Sequence, residues 1–229
     1  MNQAATRILL ADDHAILRDG LRRVLDGIDG IEVVAEAENG RAAVAGVRDH
    51  APDLVLLDVA LPELNGLDAC ARITQRFPDV FVLILSMYSN EEYVLRALRN
   101  GARGYVLKSA SAAELEVAIR SSLKGNRYLS PEVSGHVIQA YMGGSPVASP
   151  LEALTPRQRE VLQLVAEGLT TRRIAERLSI DPKTVESHRT NLMRTLGLHD
   201  VVSVVRFAIR NGLIVEAPPA DLGPPRSES

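Results

Sequence analysis

The stretch Arg7-Ile-Leu-Leu-Ala11 is a short apolar run that ends at two acidic residues, Asp12 and Asp13. Short apolar runs that end at a chemically useful side chain recur along the first half of the chain. Near-continuous apolar runs of this length are typical of parallel strands that are buried on both faces. The further examples are Asp53-Leu-Val-Leu-Leu57 before Asp58, Val80-Phe-Val-Leu-Ile-Leu85 before Ser86, and Gly104-Tyr-Val-Leu-Lys108, which carries Tyr105 and ends at Lys108.

Amphipathic stretches separate these runs, and together they predict the fold of the first half. Leu17, Leu21, Val24, Leu25 and Ile28 recur at helical spacing, and Ser111-Ala-Ala-Glu114 has the pattern of a capping box that begins a helix. A helix over about 90–99 should end at Asn100-Gly101. We expect a doubly wound, flavodoxin-like α/β domain with a five-stranded parallel sheet in the order 2-1-3-4-5. Its predicted strands are 7–11, 31–37, 53–57, 80–85 and 104–107.

The residues that follow these strands should meet at one edge of the sheet, where ligands bind. Neighbouring carboxylates repel one another unless a hard cation lies between them, and oxygen-only ligands without His or Cys favour Mg²⁺. A carboxylate can also act as a nucleophile toward phosphorus. We therefore interpret Asp58 as the nucleophile, Asp13 as a direct metal ligand and Asp12 as its support. Lys108 and Ser86 would contact phosphoryl oxygens.

Taken singly, each of these residues has an ordinary structural explanation. An Asp at the end of a strand is usually a turn or helix-capping residue, so Asp13 could begin a helix and Asp58 could begin a loop. Ser86 and Lys108 are individually uninformative. Only the joint pattern of acid, acid, nucleophile, hydroxyl and amine at successive strand ends favours a phosphate-accepting site.

The second half of the chain predicts helices only. Thr155-Pro-Arg-Gln158 combines a helix cap with Pro at the first helical position, and Asp181-Pro182 repeats that signal. The three-residue gap 179–181 between Leu178 and Pro182 is short enough for a helix-turn-helix. In the helix that begins there, Val185, His188, Leu192 and Leu196 form an inward stripe, whereas Lys183, Glu186, Ser187, Thr190 and Arg194 form an outward polar stripe.

An outward polar stripe is usually just solvated, but the charge of this half favours nucleic acid. Residues 1–142 hold 15 basic and 19 acidic residues, net −4, whereas residues 150–212 hold 10 and 7, net +3. Arg172 and Arg173, in the first turn after Thr170, would suit a phosphate at that helix start. The candidate DNA contacts are Thr170, Arg172, Arg173, Lys183, Thr184, Glu186, Ser187, His188, Arg189, Thr190 and Arg194.

Composition limits the remaining classes of protein. The chain has 229 residues and one cysteine, Cys70, which excludes a disulfide framework. The sequence shows no membrane span and no signal peptide, so we expect a cytoplasmic protein without a membrane partner. The predicted units are 1–124, a linker helix and flexible linker over 125–151, an all-α four-helix domain over 152–214, and a disordered tail over 215–229.

With these motifs assembled, residues 7 to about 123 resemble a response-regulator receiver domain and 152–212 resemble a LuxR-type helix-turn-helix. The joined pattern resembles the NarL/FixJ class of two-component regulators. The resemblance implies phosphorylation of Asp58 by a sensor histidine kinase, with Mg²⁺ held by Asp13, Asp58 and the main-chain carbonyl of Ala60. It also implies switching through Ser86 and Tyr105, with Tyr105 turning inward after phosphorylation. Much of the family has Pro after the lysine, where this chain has Ser109.

Two further expectations concern assembly and chemistry. The final helix carries Val201, Val204, Val205 and Ala208 on one face, with Val202 and Ile209 nearby on another. That is more apolar surface than one small core absorbs, so one face should pair two copies on double-stranded DNA. RNA polymerase is an expected partner. The alternative function is a phosphohydrolase that turns over through phosphorylated Asp58. Such enzymes usually need a second acid two residues later, where this chain has Ala60, so we predict a regulator and not an enzyme.

Overall fold

The computed structural model describes residues 5–142 and 149–214. The predicted tail over 215–229 and most of the predicted flexible linker lie outside the described residues. All peptide bonds within the described part of the chain are trans, including the bond between Lys108 and Ser109.

The first half of the chain forms a parallel sheet in the predicted order. The five predicted strands are β1 Thr6–Ala11, β2 Ile31–Ala37, β3 Leu54–Asp58, β4 Phe81–Ser86 and β5 Gly104–Leu107. Their order is β2-β1-β3-β4-β5, which confirms the 2-1-3-4-5 prediction. A sixth strand, β6 Tyr128–Leu129, adds to β5 in parallel, and the sequence prediction missed it because two residues form no periodic pattern.

Helices cover both faces of the sheet. They are α1 Ala15–Asp26, α2 Gly40–His50, α3 Gly66–Arg76, α4 Glu91–Arg99 and α5 Ala112–Leu123. Alternate residues of β1 enter opposite cores: Ile8 and Leu10 lie in the core beneath α1 and α5, whereas Leu9 and Ala11 lie in the core beneath α2 and α3. This burial on both faces explains why the strands are almost entirely apolar.

Two predicted helix ends can be compared in detail. α4 ends before Gly101, whose φ of +89° is the expected left-handed conformation. At α5 the Ser111 side chain accepts a hydrogen bond from the Glu114 amide, as predicted. The reciprocal half of the capping box is absent, because the Glu114 carboxylate accepts a hydrogen bond from the Ser130 hydroxyl instead. The predicted box at α5 was therefore half wrong.

The second half is helical, as predicted. After α6 Pro131–Met142 and a short 3-10 turn at Pro150–Ala153 come α7 Pro156–Ala166, α8 Thr171–Leu178, α9 Pro182–Leu196 and α10 Val201–Arg210. Thr155 and Gln158 make both hydrogen bonds of a capping box before α7. α8 ends at Ser179 in a left-handed conformation, and the Asp181 side chain caps α9. These turns place α8 and α9 as the two helices of a helix-turn-helix.

One glycine fixes the loop between β3 and α3. A Cβ atom added to Gly66 would overlap the main-chain carbonyl oxygen of Asp58, whereas Gly20 on the exposed side of α1 has open space around it. Gly66→Ala should therefore lower the free energy of unfolding by roughly 1–3 kcal/mol or more. Gly20→Ala should raise the free energy of unfolding by roughly 0.5–1 kcal/mol, because alanine in a helix interior loses less conformational entropy on folding than glycine does.

Urea denaturation of both variants at neutral pH measures this contrast. Equal stability of Gly66→Ala and the parent would show that the backbone of Asp58 is free to move.

Candidate functional site

The predicted residues converge at the carboxyl edge of the sheet. Asp58 is the last residue of β3 and Ser86 the last of β4, while Asp12 and Lys108 directly follow β1 and β5. Asp12 is fully buried and Asp58 is 3% exposed. Tyr105 lies inside β5, three residues before Lys108. The structure therefore brings four of the predicted side chains together at this edge.

Lys108 joins the two buried carboxylates. Its Nζ lies 2.6 Å from Asp12 Oδ2 and 2.8 Å from Asp58 Oδ2. Burial raises the pKa of Asp58, and the attraction of Lys108 offsets only part of that rise. Burial alone would lower the pKa of Lys108, but the two carboxylates outweigh it and raise that pKa. One ammonium group thus pairs with two carboxylates, and the side chains at the edge of the sheet keep excess negative charge.

The donor atoms fit a hard divalent cation. Side-chain donors of Asp12, Asp13, His14 and Asp58 all lie within 4.8 Å of one another. The buried Asp12 Oδ2 lies 2.6 Å from Lys108 Nζ, so a cation bound at the cluster would share this carboxylate with the ammonium. Asp13 is about one third exposed, which leaves room for the water ligands that Mg²⁺ retains.

His14 was missed as a member of this cluster. Its Nδ1 lies 2.8 Å from Asp13 Oδ1, and its amide donates to Asp12 Oδ1 at 2.9 Å. The sequence signal was its position directly after the two acids. An imidazole was not predicted, because hard cations prefer oxygen ligands.

The predicted switch residues form a hydrogen-bonded group with Tyr88. The Ser86 hydroxyl oxygen accepts from the Tyr88 amide at 3.1 Å, and the Tyr105 hydroxyl donates to the Tyr88 carbonyl at 2.7 Å. Tyr105 is fully buried. Tyr105 therefore already points inward while Lys108 holds Asp58, and the predicted inward rotation is not available from this conformation. Tyr88, which also stacks on Tyr93, was missed by the sequence prediction.

The outward stripe of α9 is exposed along its whole length, as predicted. Two candidate contacts have structural roles as well: His188 is half-buried, and Arg189 donates to the Thr171 hydroxyl at 3.1 Å, which ties α9 to α8. Thr170 caps α8. Arg172 and Arg173 are exposed at its start, although Arg172 pairs with Glu176. The exposed candidates are Thr170, Arg172, Arg173, Lys183, Thr184, Glu186, Ser187, Thr190 and Arg194.

Helix α7 packs against the loop that follows Asp58. The buried Gln163 side chain donates from Nε2 to the Leu61 carbonyl at 3.0 Å and accepts at Oε1 from the Asn65 amide at 2.8 Å. Glu167 Oε1 accepts from the Glu63 amide at 3.1 Å. The loop is thus hydrogen-bonded at three places by one helix of the second domain.

Ion pairs surround this junction. The carboxylate of Glu160, which is 2% exposed, contacts Arg41 at 2.9 Å, Arg157 at 2.8 Å, and also Arg72. Asp68 on α3 pairs with Arg159 on α7 at 3.1 Å. The sequence prediction missed this junction, because polar residues on a short helix are expected to face solvent.

Comparison with known proteins identifies the family. The model of the response regulator receiver domain matches residues 8–120, and that of the LuxR family of bacterial regulatory proteins matches residues 152–208. The oxygen regulatory protein NreC of Staphylococcus carnosus (strain TM300) is 36% identical over 214 residues, which cover 91% of this chain and 99% of NreC.

Two solved structures extend the comparison. A LuxR-family two-component response regulator from Aurantimonas sp. SI85-9A1 is 37% identical with a TM-score of 0.58, over 61% of this chain and 99% of that chain. RcsB from Salmonella enterica serovar Typhimurium, bound to the promoter rprA in the presence of the phosphomimetic BeF3-, is 26% identical with a TM-score of 0.59. That match covers 89% of this chain and 98% of RcsB.

The chain therefore belongs to the LuxR family of response regulators, with a receiver domain followed by a LuxR-type helix-turn-helix, and it is a phosphorylation-controlled, DNA-binding regulator of transcription. This family assignment confirms the resemblance drawn from the sequence motifs. Among the described residues, every helix is too short or too polar to cross a membrane.

The raised pKa of Asp58 gives a stability prediction. Its ionised form is destabilised by burial, so folding is penalised above the folded-state pKa and not below the unfolded-state pKa, where both states are protonated. In EDTA at pH 8, Asp58→Asn should raise the free energy of unfolding, on the order of 1 kcal/mol. The gain should shrink as the pH falls toward the unfolded-state pKa of about 4.

Urea titrations at several pH values measure the gain, with Asp79→Asn, an exposed carboxylate near β4, as the control. A variant that is less stable than the parent at pH 8 would mean that Lys108 fully compensates the burial of Asp58.

Proposed function

We propose that Asp58 accepts a phosphoryl group from a sensor histidine kinase. The observation that carries the proposal is the position of Asp58 at the sheet edge, 2.8 Å from Lys108 and beside the acidic cluster. Asp12 and Asp13 would hold Mg²⁺ together with Asp58 and the main-chain carbonyl of Ala60. Bound Mg²⁺ would neutralise charge on the phosphoryl oxygens.

The chain's own residues have distinct roles in this reaction. An oxygen of the ionised Asp58 carboxylate attacks phosphorus, and the bond between phosphorus and the donor breaks with its electron pair on the donor. The Lys108 ammonium, already between Asp12 and Asp58, is close enough to pair with a phosphoryl oxygen. The Ser86 hydroxyl, at the end of the neighbouring strand, would donate to another phosphoryl oxygen.

Phosphorylation should require Asp58 and a divalent cation. With acetyl phosphate and Mg²⁺, the parent should gain the mass of one phosphoryl group, because a single nucleophile lies opposite the acidic cluster. Asp58→Asn should gain none, and Asp79→Asn, which keeps the edge intact, should match the parent. Uptake by Asp58→Asn at the parental rate, or by the parent in EDTA, would contradict the assignment.

For the second domain, which we place at 152–214, we propose that α9 enters the major groove of double-stranded DNA. Its exposed polar stripe and the preceding helix supply side chains for base edges and phosphates. A homodimer on DNA would pair two such readers, and Val201 and Val202 supply an exposed apolar surface for pairing, at 48% and 63% exposure. Binding to RNA polymerase stays a prediction.

Two substitutions should separate phosphate contacts from base contacts. Arg172→Ala should weaken binding to all sequences and reduce the salt slope by about 1, because it removes one phosphate contact. Thr190→Ala should change the free-energy preference between bases at one position by roughly 1–3 kcal/mol. Arg127→Ala removes an exposed cation between α5 and β6 and should leave both quantities unchanged. Sequence selection followed by binding titrations at several salt concentrations measures both quantities.

Half-site geometry provides a further check of the same surface. Two-fold pairing should place the half-sites about one helical turn apart, so a five-base-pair insertion between them should abolish tight binding. Tight binding that is indifferent to the insertion, or a salt slope unchanged by Arg172→Ala, would contradict the paired reader.

We further propose that the loop between β3 and α3 carries the signal from Asp58 to the second domain. This loop begins after the acceptor and is hydrogen-bonded to Gln163 of α7 and to Glu167, which directly follows α7. A phosphoryl group and a cation that engages the Ala60 carbonyl would pull on the loop between those two ends. The route through Ser86 and Tyr105 alone is less favoured, because Tyr105 is buried before phosphorylation.

A further inference from the structure

A cleft between α2 and α3 has an unusual concentration of arginines. Its volume is about 200 Å³, and four arginines line it: Arg41 and Arg48 from α2, and Arg72 and Arg76 from α3. Leu64 and Phe77 contribute apolar surface to its lining. None of the described residues that line it is acidic.

Arg48 pairs with Asp49 at 2.7 Å, but the other three arginines of this cleft have too few carboxylate partners. Arg41 and Arg72 both contact Glu160, which must also serve Arg157. Glu63 is the other carboxylate close to Arg41, and it pairs with Arg177 at 3.4 Å. In the described part of the chain, Arg76 makes no ion pair within 4.0 Å, and it is exposed. The junction therefore carries excess positive charge.

The hydrogen bonds of Arg41 also show a shortage of acceptors at this junction. Arg41 Nε is buried and has no hydrogen-bond partner among the described residues. A buried donor without an acceptor is costly, on the order of 1–3 kcal/mol, and is rare in folded proteins. Burial lowers the pKa values of Arg41 and Arg72, and for Arg72 the neighbouring Arg41 and Arg76 lower it further. A negatively charged acceptor in the cleft would give Arg41 Nε a hydrogen-bond partner and would offset the repulsion between the arginines.

We propose that this cleft binds a small phosphate-type anion, either free phosphate or pyrophosphate. Guanidinium groups present paired N–H donors that match the oxygens of a phosphate, and several of them around one cleft add charge to that geometry. The volume decides the size class of the ligand: about 200 Å³ is below the roughly 300–1,000 Å³ of pockets for larger organic ligands. The site is separate from Asp58, so it does not depend on phosphoryl transfer.

Binding in the cleft would compete with Glu160. The anion would take the charge of Arg41 and Arg72, which otherwise fasten the receiver to α7 through that carboxylate. Two binding equilibria that share residues are reciprocally coupled. The junction weakens anion binding by some factor, and a bound anion weakens the junction by the same factor. Removing the charge of Glu160 should therefore strengthen anion binding.

Calorimetric titration of the full chain tests the proposal. Inorganic phosphate and pyrophosphate are titrated separately in EDTA at constant ionic strength, so that a metal-bound phosphate at the sheet edge does not contribute. The parent should show one saturable site that is half-filled below about 1 mM, with pyrophosphate the tighter ligand. Arg76→Ala should weaken binding at least tenfold, and because Arg76 is exposed the variant should keep the parental thermal stability.

Two matched variants distinguish a site from a charged surface. Arg23→Ala removes an exposed cation from α1, on the opposite face of the sheet, and should bind within about twofold of the parent. Glu160→Gln should bind more tightly than the parent. Equal weakening by Arg76→Ala and Arg23→Ala, unsaturable binding, or weaker binding by a folded Glu160→Gln would overturn the proposal. An Arg76→Ala variant that loses only affinity for DNA would assign these arginines to a DNA phosphate instead.

Discussion

The side-chain amide of Gln163 joins the two domains at the loop that begins with the acceptor aspartate. It is 1% exposed and satisfies both the Leu61 carbonyl and the Asn65 amide. Leaving a buried polar group without a partner costs roughly 1–3 kcal/mol, so any movement of the loop must either carry α7 with it or break these bonds. The position of the DNA-binding domain is therefore coupled to the conformation of the loop: a change in one requires a change in the other.

The end of the loop that begins at Asp58 is held by an ion pair. Lys108 bridges Asp12 and Asp58, and its single positive charge does not neutralise both carboxylates. A phosphoryl group would add further negative charge at Asp58, so the partition of Lys108 between the acids and the phosphoryl oxygens must change. Gly66 keeps the other end of the loop against the Asp58 carbonyl, which leaves little slack between the two ends.

Much of this arrangement could be predicted from the sequence, for a physical reason. Strands buried on both faces are apolar throughout, so the first polar residue after each run marks the sheet edge, as Asp58 and Ser86 do. The same logic fails for Gln163 and Glu160. Helical periodicity reveals the face of α7 that packs in its own domain, whereas its other face is covered by a polar interface with the receiver, which leaves no apolar pattern.

Two other features were beyond a pattern-based prediction. The inward position of Tyr105 depends on a hydrogen bond to the Tyr88 carbonyl, and the identity of a residue does not specify which main-chain acceptor it finds. The strand β6 consists of two residues that pair with β5 and has no periodicity of its own.

We propose that the docked α7 restricts the DNA-binding domain until Asp58 is phosphorylated. DNA affinity measured for the parent and Gln163→Ala, each with and without acetyl phosphate and Mg²⁺, tests it most directly. Gln75→Ala, an exposed change on α3, is the matched control. We expect unphosphorylated Gln163→Ala to bind DNA about as tightly as the phosphorylated parent, with little further gain on phosphorylation. A variant that keeps the full parental response to phosphorylation would contradict the account.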